Sequence, residues 1–215
     1  MRFTRAELEA FRGHEVADVL GPGPRLLFVG INPGLWTAAV GTHFAHPGNR
    51  FYPALLRAGI IERAIDPAAG MSDDDRAHLI ARGIGITNLV RRATARASEL
   101  TATELREGGE RLLDLVAERR PRVVAVAGIT AYRHAFGERG ATLGRQPAAA
   151  AAARWSGAAL WVVPNPSGLN AHETVATLAT AYAAPAAEAG VVGDACHEQP
   201  RPACATEADW ARNRH

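Results

Sequence analysis

LLFVGINPG, at residues 26–34, is the segment that says most about the architecture of this chain. Its first five residues form a short apolar run, which predicts a strand buried on both faces, and the Asn-Pro-Gly that follows prevents the strand from continuing. Similar apolar runs occur in VVAVAG at 123–128 and in LWVVP at 160–164. Because helical patterns lie between these runs, the sequence predicts an α/β fold with a central, mainly parallel sheet.

The apolar spacing predicts helices in six segments, at roughly 4–20, 49–59, 72–82, 101–119, 130–137 and 172–186. The longest well-delimited helix opens with Thr101 and Glu104 in a capping-box pattern, and Pro121 ends it. The run PAAAAAARW at 147–155 favours a helix by propensity, but it lies close to the next strand and to the turn residue Gly157. We therefore predict a hairpin strand in this run.

The length and the composition fit one domain. With 215 residues, 47% of them hydrophobic, the chain can bury one sizeable core, which we place at 1–186. Residues 187–215 are interrupted by prolines and lack sustained periodicity, so they predict a flexible tail. No apolar run approaches the roughly 20 residues that a membrane helix needs, and the first residues lack the apolar segment of a secretory signal. We therefore expect a cytoplasmic protein without membrane contact.

All 24 basic side chains are arginines, because the sequence contains no lysine. The bias fits a GC-rich genome, but it also leaves no side-chain amine for Schiff-base chemistry. A net charge of +2 permits nucleic-acid binding without requiring it. The two cysteines, Cys196 and Cys204, are too few for a cysteine-only zinc site or an iron–sulfur cluster, and we expect free thiols.

Two loops that follow predicted strands contain notable residues. In open α/β sheets, ligands bind beyond the carboxyl ends of the strands, so these loops are candidate sites. The first contains Asn32 between Ile31 and Pro33, and Asn32 is either a functional amide or an Asx-turn residue. The second, PNPSGLN at 164–170, contains Leu169, which either packs on its own loop or inserts between base steps as an apolar wedge.

A third segment, GTHFAHPGNRFY at 41–52, lies between these loops in the sequence. Phe44 is either a core aromatic or a surface on which an extruded base stacks. His43 and His46 have groups suited to acid catalysis or metal binding, but their three-residue spacing without a third ligand does not predict a metal site. We interpret both histidines as hydrogen-bonding loop residues.

Five motifs share their order with one known family. They are GINPG at 30–34, FAHPGNRF at 44–51, GIGITNLV at 83–90, ELREGGERL at 104–112 and NPSGL at 165–169. Together they resemble the mismatch-specific uracil and thymine DNA glycosylases, a branch of the uracil-DNA glycosylase superfamily, over residues 25–182. The resemblance implies a three-layer α/β/α fold and an enzyme that flips a base out of DNA and hydrolyses its N-glycosidic bond, with no cofactor and no metal.

The resemblance also implies roles for residues around the base. Asn32 matches the amide that positions the attacking water, and Phe44 matches the aromatic residue that stacks on the flipped base. Asn88, within GITNLV, is a candidate base contact, and the backbone N–H groups around Ile31 and Phe44 are candidates for stabilising the departing base. We also assign Asn165 to the substrate-binding residues.

Four residues of the second loop match the segment that fills the hole left by the flipped nucleotide: Ser167, Gly168, Leu169 and Asn170. Carbonyl groups of this segment can pair with the widowed guanine, which implies a preference for mismatches. Bacterial relatives often carry an arginine two positions after the leucine, where this chain has Ala171, so we expect weaker anchoring of the loop. Thr37, which we place in the first loop, would crowd the 5-methyl group of thymine and therefore favours uracil.

These observations predict a monofunctional glycosylase for base excision repair. We expect it to excise uracil from double-stranded DNA, preferentially from G·U mismatches, and to leave an intact abasic site for downstream abasic-site repair enzymes. We expect a monomer that associates with bacterial nucleoid DNA. The alternative is a catalytically weak protein of the same fold that binds DNA lesions or mismatches. A nucleotide-binding protein is disfavoured, because the chain has neither a G-x-G-x-x-G nor a Walker motif.

Overall fold

A five-stranded sheet forms the centre of the protein, in a computed structural model that describes residues 3–147 and 153–192. Its strands are β1 (Leu26–Gly30), β2 (Ile84–Asn88), β3 (Val123–Ala127), β4 (Gly144–Arg145) and β5 (Ala159–Val163). The strand order is β2-β1-β3-β5-β4, and the first four of these run parallel while β4 is antiparallel to β5. The prediction of a central, mainly parallel sheet is therefore confirmed.

Helices cover both faces of this sheet. In the described part of the chain they are α1 (Arg5–Glu9), α2 (Leu35–Val40), α3 (Phe51–Arg57), α4 (Asp73–Ala81), α5 (Ala102–Arg119), α6 (Ile129–Phe136) and α7 (Val175–Ala189). Phe28 of β1 enters the core that contains residues of α3 and α7, whereas the next residue, Val29, enters the core that contains residues of α5 and α6. Since successive side chains of a strand point to opposite faces, both faces need cover, and three α/β/α layers result.

The predicted capping box places helix α5 correctly, and helix α4 also begins at a capping residue. The Thr101 hydroxyl accepts a hydrogen bond from the Glu104 backbone N–H at 3.1 Å, and the Glu104 carboxylate accepts one from the Thr101 backbone N–H at 2.8 Å. Helix α4 begins after Ser72, whose hydroxyl accepts from the backbone N–H of Asp75 at 3.1 Å. The acidic first turn of α4 complements the helix dipole, as its sequence predicts.

The predicted first helix, roughly 4–20, is wrong for most of its length. Helix α1 ends at Glu9, and the chain turns at Gly13, which has a φ of +80°. Val19 then forms an antiparallel bridge with Ile86 of β2. Val19 and Leu20 pack beside β2, at the edge of the sheet, so these apolar residues reflect burial beside a strand and not a helical face.

Strand β2 and helix α2, together with the short strand β4, were missing from the sequence-based prediction. Strand β2, IGITN, contains a glycine and two polar residues, yet every residue in it is buried because it pairs with β1 along its whole length. Helix α2 begins directly after Gly34, so Thr37 lies in a helix and not in the first loop. Strand β2 was missed because its burial comes from pairing with β1, and α2 was missed because the helix starts at once where a loop was predicted.

The predicted hairpin strand at 147–155 is not supported where the structure describes it. Residues 153–157 form a turn, residues 148–152 lie outside the described residues, and the antiparallel partner of β5 is β4. Helix α7 extends to Ala189, three residues into the segment predicted as a tail. Cys196 and Cys204 lie outside the described residues. Within those residues, no helix is both long enough and apolar enough to span a membrane.

Candidate active site

The carboxyl ends of the parallel strands place the predicted site residues on one edge of the sheet. Gly30, the last residue of β1, pairs with Asn88, the last residue of β2. On the other side of β1, β3 ends at Ala127 and β5 at Val163, beside the start of the second loop. Parallel strands bring loops that are distant in the sequence to one crevice, where α/β folds bind ligands.

Asn32 is held by its side-chain nitrogen. Its Nδ2 donates to the carbonyl oxygens of Pro33 and Arg92, both at 3.1 Å, and to the hydroxyl of Thr94 at 2.8 Å. The Thr94 hydroxyl uses its own proton on the Arg96 carbonyl at 2.9 Å, so it must accept from Asn32. A flipped amide would set Oδ1 against two carbonyl oxygens, and the orientation of Asn32 is therefore fixed.

This orientation gives Asn32 a defined free acceptor. Asn32 is only partly buried, and its hydrogen bonds to described residues all come from Nδ2. Its Oδ1 is thus available to accept a hydrogen bond from water. The Asn32 amide is more than a local Asx turn, because its partners include residues 60 and 62 positions away in the sequence.

Phe44 is anchored on one side by another aromatic ring. Its ring stacks on the fully buried Phe51, with centroids 4.1 Å apart and an interplanar angle of 24°. Its backbone φ of +56° lies in the left-handed region, which few non-glycine residues adopt and which packing must hold in place. Phe44 remains partly exposed, so it is both a boundary of the core and an accessible aromatic surface.

Asn88 fills the space that Gly30 leaves by having no side chain. A Cβ on Gly30 would lie 2.3 Å from the Oδ1 of Asn88 and 3.2 Å from the edge of the Phe44 ring. Glycine at the end of β1 is therefore required for this side-chain amide and the accessible aromatic ring to lie side by side. Acceptor and aromatic surface are the two features by which a pyrimidine ring can be read and stacked.

His43 supports Asn88 from within the protein. One ring nitrogen, Nδ1, lies 2.9 Å from the Nδ2 of Asn88, and the other, Nε2, lies 3.0 Å from the carbonyl oxygen of Ala17. Burial lowers the pKa of His43 below its usual value, which favours the neutral ring. The prediction that His43 and His46 are hydrogen-bonding residues is confirmed, since Nδ1 of His46 accepts from the Gly48 N–H at 3.1 Å.

Ile31 lies in the first loop, whereas Thr37 lies in α2, the helix that follows this loop. The side chain of Ile31 lies beside Gly128, where a Cβ would approach it to 3.3 Å. The backbone N–H groups of Ile31 and Phe44 donate to no acceptor within the described residues, so they remain available as donors. Thr37 is only 5% exposed.

The second loop is held together by its own hydrogen bonds. The Oδ1 of Asn165 accepts from the Ser167 N–H at 3.0 Å, which makes Asn165 an Asx-turn residue. Asn170 returns two bonds, from its N–H to the Ser167 carbonyl at 2.9 Å and from its Nδ2 to the Asn165 carbonyl at 3.2 Å. Leu169 at the tip is 91% exposed and does not pack on this loop. A rigid backbone therefore presents an apolar side chain to solvent.

Arg50 joins the second loop to the third segment. Its guanidinium donates to the carbonyls of Ser167 at 3.3 Å and Asn170 at 3.1 Å, and its backbone N–H donates to that of Pro166 at 3.0 Å. Gly168 also lies so close that a Cβ on it would be 2.6 Å from the Gly48 carbonyl oxygen. Arg50 therefore anchors the loop, and the expectation that anchoring is weaker than in relatives with an arginine at the position of Ala171 stays a prediction.

Sequence reasoning missed three of these functional contacts. They are the contacts of Thr94 with Asn32, of His43 with Asn88, and of Arg50 with the second loop. No local motif reveals them, because the partners are far apart in the sequence. Two other arginines near the motifs are engaged within the protein: Arg91 pairs with Glu15, and Arg92 pairs with Glu104. Among the described residues, no cluster of three potential ligands could hold a metal ion.

Comparison with known proteins agrees with this arrangement. The family model of the uracil DNA glycosylase superfamily matches residues 17–185. The chain belongs to the uracil DNA glycosylase superfamily. Its fold is also similar to the solution NMR structure of a candidate uracil DNA glycosylase from Methanosarcina acetivorans, with a TM-score of 0.53 and 17% identity over 81% of this chain and 97% of the other.

Membership of the uracil DNA glycosylase superfamily makes the protein a DNA glycosylase, a hydrolase that acts on DNA. The match covers Asn32, Phe44, Asn88 and the loop at 164–170, so the whole candidate site lies within it. The structural similarity, at 17% identity, supports the α/β fold alone.

Proposed function

We propose that this protein is a monofunctional member of the mismatch-specific branch of the superfamily. It flips uracil out of a G·U mismatch in double-stranded DNA and hydrolyses the N-glycosidic bond, leaving an abasic site for base excision repair. The observation that carries the proposal is the fixed amide of Asn32, whose free Oδ1 belongs to the same strand-end crevice as Phe44 and Asn88.

Asn32 suits a reaction in which the bond to the base breaks before water attacks. Departure of uracil leaves positive charge on the sugar and negative charge on the base, so preorganised dipoles stabilise the transition state. The Asn32 Oδ1 accepts a hydrogen bond from the water and orients it toward the sugar. An amide cannot take the proton as a carboxylate does, so we expect slow turnover.

The base is held by groups from two sides of the crevice. The Phe44 ring stacks on the flipped uracil, and Asn88 contacts its Watson–Crick edge. The N–H groups of Ile31 and Phe44, which have no acceptor among the described residues, are the proposed donors to the negative charge that develops on the base. Asn165 holds the shape of the adjoining loop through its Asx turn.

Leu169 accounts for base flipping in this proposal. An exposed apolar side chain on a rigid loop can enter the base stack and occupy the space that the uracil leaves. Arg50 donates to the backbone carbonyls of Ser167 and Asn170 and so fixes the loop. Other polar groups of the loop then pair with the unpaired guanine. This loop is the proposed source of the preference for mismatches.

Thr37 sets the proposed preference for uracil over thymine. Its β-branched side chain is buried in α2, the helix that follows the loop of Asn32. In this proposal the 5-methyl group of thymine would crowd against it. Replacement of Thr37 by a smaller residue should therefore make room for the 5-methyl group and allow thymine to be accepted better. We accordingly expect uracil to be released faster than thymine opposite guanine.

The absence of lysine supports a monofunctional reaction. Cleavage of the DNA backbone by β-elimination commonly uses an amine to form a Schiff base, and this chain has no side-chain amine. We expect borohydride to trap no covalent protein–DNA adduct during reaction with a G·U duplex. A trapped adduct would contradict the monofunctional assignment.

The decisive experiment is single-turnover release of base from otherwise identical duplexes bearing G·U, A·U or G·T, and from single-stranded uracil DNA. We expect the fastest release from G·U, and we expect Asn32→Ala to bind that duplex without releasing uracil. Binding of mismatched DNA without release by the wild-type protein would instead favour the alternative, a lesion-binding protein. The proposal places a monomer in the cytoplasm, bound to nucleoid DNA, upstream of abasic-site repair enzymes.

A further inference from the structure

The amide of Asn88 poses a specificity problem, because amide groups can read two different bases. Uracil presents an N–H donor at N3 and a carbonyl acceptor at O4, whereas cytosine presents an acceptor at N3 and an amino donor at C4. An asparagine side chain pairs with the first arrangement in one orientation and with the second after a 180° flip. A freely rotating Asn88 therefore could not distinguish uracil from its parent base.

The surroundings of His43 determine which orientation Asn88 adopts. The carbonyl oxygen of Ala17 can only accept, so the ring nitrogen that faces it, Nε2, must carry the proton. In a neutral ring the other nitrogen, Nδ1, is then an acceptor, and the group of Asn88 that faces it must be the donor Nδ2. A flipped amide would oppose the Oδ1 of Asn88 to the lone pair of Nδ1.

The charge state of His43 agrees with this tautomer. Burial lowers its pKa and outweighs Asp18, whose charge raises the pKa, while Arg76 and Arg91 lower it further. The Tyr52 hydroxyl donates to the His43 backbone carbonyl at 3.1 Å and helps to hold the residue in place. Burial thus outweighs the hydrogen bond to Ala17, which raises the pKa, and favours the neutral ring, while the Ala17 carbonyl places the remaining proton on Nε2.

The Oδ1 of Asn88 consequently points to the strand end, over Gly30 and next to the Phe44 ring. Among the described residues, none donates a hydrogen bond to this oxygen. We propose that His43 is a positioning residue that locks Asn88 in the orientation complementary to uracil, with Oδ1 facing the N3–H, and so excludes cytosine. This inference rests on the proposed function, since it specifies how the same site selects its base.

The test compares wild-type protein with His43→Gln, Asn88→Ala and the double variant. Glutamine places its amide near the position of Nε2, so it can still donate to Ala17 but removes the acceptor that faces Asn88. His78→Gln, at a partly buried histidine on α4, is the control substitution. Base release is measured from duplexes with 5-fluorouracil or 5-fluorocytosine opposite guanine, because fluorine makes both bases better leaving groups without changing their Watson–Crick edges.

Affinity is measured in parallel on duplexes that carry 2′-fluoro-deoxyuridine or 2′-fluoro-deoxycytidine opposite guanine. The 2′-fluorine destabilises the sugar cation and prevents cleavage, so these ligands report base selection without catalysis. We expect His43→Gln to lower the uracil-to-cytosine ratio about tenfold, equivalent to about 1.4 kcal/mol, in both measurements. The same substitution should leave the ratio unchanged in the Asn88→Ala background, and His78→Gln should leave it unchanged throughout.

An unchanged ratio in His43→Gln, or an equal fall in the Asn88→Ala background, would overturn the inference while leaving uracil excision intact. If the wild-type protein releases no base, the proposed function fails, but the affinity ratio still decides the role of His43. A further measurement requires no variant: ¹⁵N NMR of the wild-type protein should show His43 protonated at Nε2 and not at Nδ1. The Nδ1–H tautomer would overturn the proposal even if His43→Gln does not fold.

Discussion

The Oγ1 of Thr94 lies 2.8 Å from the Nδ2 of Asn32, although 62 residues separate the two in the sequence. Thr94 is 1% exposed, and its hydroxyl is already committed as a donor to the Arg96 carbonyl. It can therefore only accept from Asn32. A buried hydroxyl thus acts with the carbonyl oxygens of Pro33 and Arg92 to keep the Oδ1 end of the Asn32 amide free.

Removing this hydroxyl should slow catalysis more than it weakens binding. Thr94→Val keeps the shape but loses the acceptor, so the Asn32 amide is held by two partners instead of three. We expect about a tenfold loss in single-turnover release from G·U, equivalent to about 1.4 kcal/mol. Thr94→Ser retains the hydroxyl and should stay close to wild type. Equal rates for the valine and serine variants would show that the orientation of Asn32 does not depend on Thr94.

Leu169 should matter for extrusion of the base and not for stability. Leu169→Ala removes an apolar side chain that makes little contact with the protein, so the melting temperature should not change. Release of uracil from duplex DNA should fall about tenfold, because flipping loses the group that fills the vacated space. Leu143→Ala, at another exposed leucine (49%), is the matched control. A Leu169→Ala variant as active as this control would contradict the wedge role.

Arg50 should act through the loop and not through DNA phosphates. Arg50→Ala removes the donors to the Ser167 and Asn170 carbonyls, so we expect slower release of uracil from duplex DNA. The slope of log affinity against log salt concentration should not change, whereas loss of a phosphate contact reduces it by about one unit. Arg133→Ala is a matched control, since Arg133 likewise donates to a backbone carbonyl, that of Ala141. A reduced salt slope in Arg50→Ala alone would reassign Arg50 to phosphate binding.

Gly30→Ala should disable the base-contacting residues directly. The added Cβ would lie 2.3 Å from the Asn88 Oδ1 and 3.2 Å from the Phe44 ring, so these side chains must move. We expect a large loss of uracil release, together with destabilisation of about 1–3 kcal/mol from overpacking. In Gly140→Ala, the control, a Cβ meets no atom within 4 Å and stability should hold. Chemical denaturation and single-turnover assays on both variants test the prediction.

Glu104 should make the stability of the fold dependent on pH in acid. The Arg92 guanidinium, followed by the N–H and hydroxyl of Thr101, lowers the pKa of Glu104 to about 2. Because the unfolded value is about 4.3, the carboxylate stabilises the fold above that pH, and this stabilisation is lost as the pH falls toward about 2. The melting temperature of wild type should therefore fall toward that of Glu104→Gln over this window. The control, Glu107→Gln, should follow the wild-type dependence of melting temperature on pH. Equal pH dependence of the melting temperature in wild type and Glu104→Gln would contradict the assignment.

Elements with strong local signals could be predicted from the sequence. The strands at 26–30, 123–127 and 159–163 and the capped helix α5 follow from short apolar runs and a Thr–Glu pair, which act over a few residues. Strand β2 could not be found this way, because the burial of its glycine and threonine comes from pairing with β1. The first helix was predicted too long for a similar reason. Val19 looked like part of a helical face, but it is apolar because it packs beside β2 at the edge of the sheet.

For the candidate site, the identity of the residues could be predicted from the sequence, but their orientation could not. The resemblance of five ordered motifs to a known family sufficed to single out Asn32, Phe44, Asn88 and Leu169, and Asn32 and Leu169 also lie in loops that follow strands predicted from local patterns. Their orientations could not be predicted. The direction of an amide depends on which donors and acceptors surround it, and those belong to residues distant in the chain.

The sequence by itself determines the α/β class, the loops that contain the candidate site residues and the lack of a side-chain amine nucleophile, because composition and short-range patterning suffice for each. Packing decides the rest. Thr94 orients Asn32, His43 orients Asn88, and Arg50 fixes the loop that exposes Leu169. Hydrogen bonds are short and directional, so they form only after the sheet has brought these partners within about 3 Å of one another.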